Sequence, residues 1–170
     1  MLKQSKILSI LTIFFISSCG YSPLYRQTYY KNIQYEMALT KIAVVQGDTG
    51  KNGQILRNYL YSKINSYGSP VNPKYSLEII LYKPVIVEKA FKKDDTASLA
   101  TIEQRATYIL RDNETKDILL DSYVSANSSY NILPQVYATD ISKDSVIDRN
   151  LQSMSDNIAT RIALFFKEGK

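Results

Sequence analysis

The chain has 170 residues, one cysteine, no histidine, 45% hydrophobic residues and a formal charge of +5. Zero histidines and a single thiol exclude histidine acid–base catalysis, a Cys/His zinc site and a disulfide within the chain. The length and apolar content suit one domain with one core, and no basic stripe with interleaved aromatics marks a nucleic-acid surface.

The chain opens MLKQSKILSILTIFFISSCGYSPLY. Lys3 and Lys6 precede an apolar run from Ile7 to Ile16. That run is too short to span a bilayer, which takes about 20 residues, but it matches the apolar region of a secretory signal. Ile16, Ser17, Ser18 and Cys19 then resemble a bacterial lipobox, with isoleucine where leucine is commoner. The resemblance implies cleavage before Cys19, a thioether to a diacyl lipid on its sulfur, and an acyl chain on the new amine. One acyl chain binds a membrane only marginally, whereas two or three anchor it. Gly20, where aspartate would retain a lipoprotein in the inner membrane, implies the outer membrane. Residues 1–18 are then a removed signal peptide, 19–37 a lipidated tether and 38–170 a folded domain.

From Gly20 to Met37 no periodicity stands out, and Pro23 opposes an early helix, so an extended segment is expected. Leu39 to Val45 reads as a strand, followed by the glycine loop QGDTGKNG. Ile55, Leu56, Tyr59, Leu60 and Ile64 then form a helical face, stopped by Gly68 and Pro70. Tyr75, Leu77, Ile79 and Leu81 alternate along a second strand, and Pro84 marks a bulge or an edge. VEKAFKKDDTAS reads as a charged loop. Ala106, Tyr108 and Leu110 share one face of a third strand. DNETKD turns the chain into a fourth, with Leu120, Val124 and Ala126 inward, so the last two strands form a hairpin. Ile147, Leu151, Met154, Ile158, Ile162 and Phe165 make one apolar stripe on a helix from Asp140 to Phe166, with Arg149, Asn150 and Gln152 among the residues of its polar side.

Two one-sided helices and one sheet bury their apolar faces by packing together. The expectation is an α+β fold: two helices on one face of a four-stranded, largely antiparallel sheet, in the order β-α-β-β-β-α. The other sheet face would carry Glu78, Ile80 and Tyr82, then Arg105, Thr107, Ile109 and Arg111, then Asp121, Tyr123 and Ser125. Such a face is either wet or covered by a partner. The aromatic content, fourteen tyrosines, five phenylalanines and no tryptophan, fits half-wet binding surfaces or a plain compositional bias.

No catalytic constellation emerges. VVQGDTGKNGQILRN has the strand, glycine loop, lysine and helix of a phosphate-binding loop, but Val45 stands at its first glycine and Asn52 at its magnesium-binding hydroxyl. Asp94 and Asp95 lack a third carboxylate at ligand spacing, and there is no G-x-S-x-G elbow. The chain is expected to be no enzyme and to carry no cofactor or metal.

Several stretches together resemble the LPS-assembly lipoprotein (LptE) family. They are CGYSPLY from Cys19, with Tyr21 in place of the usual phenylalanine, GQILRNYL from Gly53, PKYSLEI from Pro73 and ATYIL from Ala106. SYNILPQVYA from Ser129, with Asp144 and Arg149 beyond it, continues the pattern. The resemblance covers nearly the whole chain after Cys19 and implies an outer-membrane lipoprotein that plugs the lumen of an LptD-type barrel one to one and helps pass lipopolysaccharide outward. A barrel lumen is wet and polar, and a lipid tether raises the plug's effective concentration beside it. Lys89, Lys92 and Lys93 are the candidates for contact with lipid phosphates, and Tyr82, Arg105 and Tyr123 for contact with the barrel. Two alternatives stay open: a subunit of another envelope machine, such as an auxiliary component of an ABC transporter, and a lipid-anchored periplasmic carrier with an apolar pocket.

Overall fold

The computed structural model describes residues 27–65, 68–91 and 97–168. Cys19, Lys92 and Lys93 lie outside the described residues. Three helices and five strands follow one another: α1 (Gln27–Ala38), β1 (Thr40–Gly47), α2 (Lys51–Ile64), β2 (Tyr75–Leu81), β3 (Val85–Phe91), β4 (Ala97–Asp112), β5 (Ile118–Asn131) and α3 (Val136–Glu168). The class is α+β, as expected.

The sheet is mixed. β1 pairs parallel with β2, while β2, β3 and β5 all pair antiparallel with β4. β2 and β3 share one edge of β4, end to end: Tyr75 to Leu81 lie opposite Asp112 to Ala106, and Val85 to Phe91 lie opposite Glu103 to Ala97. The fifth strand is thus the second one continued beyond a break at Lys83 and Pro84. Proline has no amide hydrogen for the ladder, which explains the interruption and its place at a sheet edge. The stretch expected to be a charged loop is therefore a strand as far as Phe91, with Lys89 exposed upon it. Its residues from Val85 to Lys89 are all exposed, so no alternation of burial marks it, and its ladder with β4 makes it a strand.

The extended reading of Gly20 to Met37 is also corrected, since the chain is helical from Gln27 to Ala38. Ile33 and Met37, one turn apart, join the core. The Tyr75 hydroxyl donates to the Glu36 carboxylate at 3.1 Å, tying the end of α1 to the start of β2.

One face of the sheet carries the core. Leu77, Ile79 and Leu81 of β2, Ile102, Ala106, Tyr108 and Leu110 of β4, and Leu56, Leu60 and Ile64 of α2 are all sealed from solvent. Each such aliphatic side chain contributes about 1.5–3 kcal/mol by leaving water. α3, 33 residues long, spans about 50 Å at 1.5 Å per residue. It buries Ile147, Leu151, Met154, Ile158 and Ile162, as the stripe predicts. Phe165 is half-buried and meets Phe166 edge-on, and Phe166 packs on Tyr75 with ring centres 4.9 Å apart.

Asn150 departs from the stripe. It is buried, not part of an outward polar side: its Nδ2 donates to the Ile102 carbonyl at 3.1 Å and its Oδ1 accepts from the Ser128 hydroxyl at 2.8 Å. The helix presses this position against both β4 and β5, and the amide stays inside because it is paired.

The glycine loop has a structural reason. A side chain at Gly53 would place its Cβ 2.5 Å from the Asp48 carbonyl oxygen, and one at Gly47, where φ is +85°, would sit 2.0 Å from the Leu81 carbonyl oxygen. The glycines let the first turn of α2 close onto the end of β1 and let β1 close onto β2.

Candidate partner-binding face

β4 decides where the outward side chains stand. Pleating sends its odd-numbered residues from Thr101 to Arg111 away from the helices, and none of them is buried. The register sets Ile80 beside Thr107, and Thr107 beside Tyr123. Beyond the last β2 pair, the Tyr82 amide donates to the Arg105 carbonyl at 3.0 Å. Arg105 lies opposite Ser125. Tyr82, Arg105 and Tyr123, chosen from sequence on separate strands, are thus brought together on one open face. The strand order that does so is β2-β4-β5, with β3 continuing the line of β2.

The two tyrosines are well exposed, Tyr82 to 48% and Tyr123 to 73%. Half-buried Ile80, Thr107 and Ile109 lie between and beside them. Two ion pairs lie on this face. Arg105 Nε donates to Glu103 Oε1 at 2.8 Å, and Arg111 Nε stands 3.8 Å from Glu78 Oε2. The Arg105 guanidinium holds the Glu103 carboxyl below the usual carboxylate range, with a smaller contribution from Lys89. Arg105 is therefore half of an exposed ion pair. Solvent-exposed pairs of this kind add little to stability. The Thr101 and Ser129 hydroxyls bond at 2.8 Å farther along. The result is a patch with two exposed tyrosines, a small aliphatic centre and a polar rim.

Lys89, on β3, borders the patch through its electrostatic reach to Glu103. Among the described residues no cluster of three or more acidic, histidine or cysteine side chains could hold a metal, and no helix is long and apolar enough to cross a membrane.

No protein-family model and no curated protein matches the sequence. Solved structures do match the shape. A protein of Caulobacter crescentus assigned as a lipoprotein has a TM-score of 0.66 at 14% identity, covering 82% of this chain and 98% of its own. The rare lipoprotein B of Shewanella oneidensis has a TM-score of 0.59 at 10% identity, over 75% of this chain and 96% of its own. Lipoprotein B of Nitrosomonas europaea gives 0.58 at 9% identity, over 78% and 90%. The chain has the fold of these lipoproteins. At such identities the likeness concerns architecture alone.

Sequence reasoning missed a second feature. A groove of about 450 Å³ runs between β5 and α3, lined by Ser125 to Ser128 and by Arg149, Asn150 and Ser153. Its two walls are distant in sequence and mostly polar, so no apolar periodicity announced it.

Proposed function

We propose that this protein is an outer-membrane lipoprotein, acylated at Cys19, that plugs and supports an LptD-type barrel during lipopolysaccharide assembly. The observation that carries the reading is the open sheet face with Tyr82, Arg105 and Tyr123 together on it. The shared lipoprotein fold and the lipobox-like Ile16 to Cys19 support it. A polar-rimmed face with a few aromatic anchors suits a wet lumen wall. Tethering by lipid keeps such a plug beside its barrel. Lys89, Lys92 and Lys93 supply the positive charge by which lipid phosphates would be met. A periplasmic carrier would need an apolar pocket, whereas the groove beside α3 is lined by serine, asparagine and arginine with a single alanine.

The test is a double variant, Tyr82→Ala with Tyr123→Ala, expressed in cells lacking the wild-type protein. Both side chains are exposed, so the variant should fold and melt as the parent does. It should recover less barrel protein from detergent-solubilised outer membranes and admit large hydrophilic antibiotics. Normal recovery with normal exclusion would remove this face as the contact. If even the unmutated protein brings down no barrel, the plug reading is wrong. Cys19→Ser tests the anchor separately: it should abolish acylation and leave an uncut or soluble chain.

A further inference from the structure

α3 carries two parallel rows of side chains at four-residue spacing, and they are unequal. Asp144, Asp148 and Asp156 all turn to α2, where they meet Lys51 at 2.8 Å, the Tyr59 hydroxyl at 3.0 Å and Lys63. Arg149, Ser153, Asn157 and Arg161 form the other row, and all four are exposed. Arg161 Nη1 donates to the Ser122 hydroxyl at 2.7 Å, and Asn150 holds Ser128. These two bonds lay α3 antiparallel along β5, with the second row beside that strand. The acidic row is thus matched within the chain. The basic row is not: neither Arg149 nor Arg161 has a carboxylate partner among the described residues, and no carboxylate lines the groove.

The strand beneath that row is also incomplete. β5 pairs only with β4 among the described strands, so its other edge presents unpaired amides and carbonyls. Edge strands are ordinarily guarded by lysine, proline or bulges. From Ser122 to Asn131 β5 has no charged residue and no proline, and its ladder with β4 is regular over that stretch. A free, unguarded edge under an overhanging helix is the geometry by which an extended peptide is accepted as an added strand. Backbone bonding to β5 would supply affinity, and the guanidinium row would select the sequence. Arg149 to Arg161 spans about 18 Å of helix, the length of about five or six strand residues.

We propose that the groove between β5 and α3 binds an extended, acidic segment of a protein partner as an additional strand, its carboxylates held by Arg149 and Arg161. The site does not depend on which membrane protein the outer sheet face meets.

The probe is a fluorescein-labelled peptide of alternating threonine and valine with a glutamate at each end, titrated with the full-length protein in detergent and read by anisotropy. Saturable binding is expected, weakened about tenfold by Arg149→Ala and abolished by Arg149→Glu. Arg149 is exposed, and a melt of each variant checks that the fold is kept. A peptide with alternate amides N-methylated should fail, as should one with lysine at each end. The proposal is overturned if no peptide binds, if the lysine peptide binds equally well, or if binding survives Arg149→Glu. It is also overturned if inorganic phosphate or vesicles of anionic phospholipid displace the acidic peptide while the N-methylated peptide binds as tightly, since the groove would then be a plain anion site. Barrel recovery is read separately, so loss of either result leaves the other standing.

Discussion

The two faces of β4 are made by the same sixteen residues, yet they obey different rules. Toward the helices, Ala100, Ile102, Gln104, Ala106, Tyr108 and Leu110 are no more than 1% exposed. Away from them, Thr101, Glu103, Arg105, Thr107, Ile109 and Arg111 all keep contact with water. Strand propensity is common to both sets, since isoleucine and threonine or tyrosine serve on each. What separates them is cover: α2 and α3 lie over one face, and no described element lies over the other. The covered face therefore sets stability, and the open face is free to carry function.

The most direct way to break this contrast is to place a charge under the helix. Leu151 is fully buried, and Leu151→Asp should cost about 4 kcal/mol or more, close to the whole stability of an ordinary domain. Thermal melting should show a domain unfolded or barely folded. A melt like that of the wild type would mean that α3 does not rest on the sheet.

Asn150 sharpens the same contrast, because a polar residue on the covered side should behave as part of the core. In Asn150→Asp the donor to the Ile102 carbonyl is lost and a carboxylate faces that oxygen instead. The expected loss is about 2–3 kcal/mol by chemical denaturation. Arg149→Ala, one residue away and exposed, should leave stability nearly unchanged. Equal midpoints for the two variants would show that the amide is not held inside.

A third substitution should move stability the other way. Gln104 is fully buried, and neither its amide nitrogen nor its amide oxygen has a partner among the described residues. A sealed, unpaired amide is costly, so Gln104→Met, similar in shape and apolar, should gain about 1–2 kcal/mol. A lower melting temperature for Gln104→Met would show that the amide is satisfied in solution and that the covered face is wetter than described.

The covered face is also what the sequence displays best. Tyr75, Leu77, Ile79 and Leu81 announce themselves by strict alternation, and the Ile147 to Ile162 stripe by helical spacing, because burial selects apolar residues at the element's own period. Asn150 escapes that logic, since a paired amide occupies a core position without an apolar side chain. β3 escapes it too: all its residues from Val85 to Lys89 are exposed, so nothing imposed alternation, and only the ladder with β4 makes it a strand. The outward cluster of Tyr82, Arg105 and Tyr123 could be drawn from alternation, but their adjacency came from strand order. The groove beside Arg149 required both the order of strands and the direction of α3, which no local pattern encodes.

The smallest effect belongs to the residue that ends β4, where helix cover and open face both give way to a turn. Asp112 Oδ1 accepts the backbone amides of Glu114 at 2.8 Å and Thr115 at 3.2 Å. Those amides, Glu114 first, hold its carboxyl below the usual carboxylate range. In the unfolded chain the group titrates near its ordinary value of about 3.9. A folded value below that means that the carboxylate favours the native state at every pH above the unfolded value. The contribution then declines as pH falls toward and through the folded value. Asp112→Asn keeps an acceptor oxygen but not the charge, so it should lower the melting temperature slightly at pH 7. The gap from the wild type should close progressively below about pH 4. A gap that stayed constant into strong acid would show that the turn gains nothing from the charge, and that the bonds to Glu114 and Thr115 act through geometry alone.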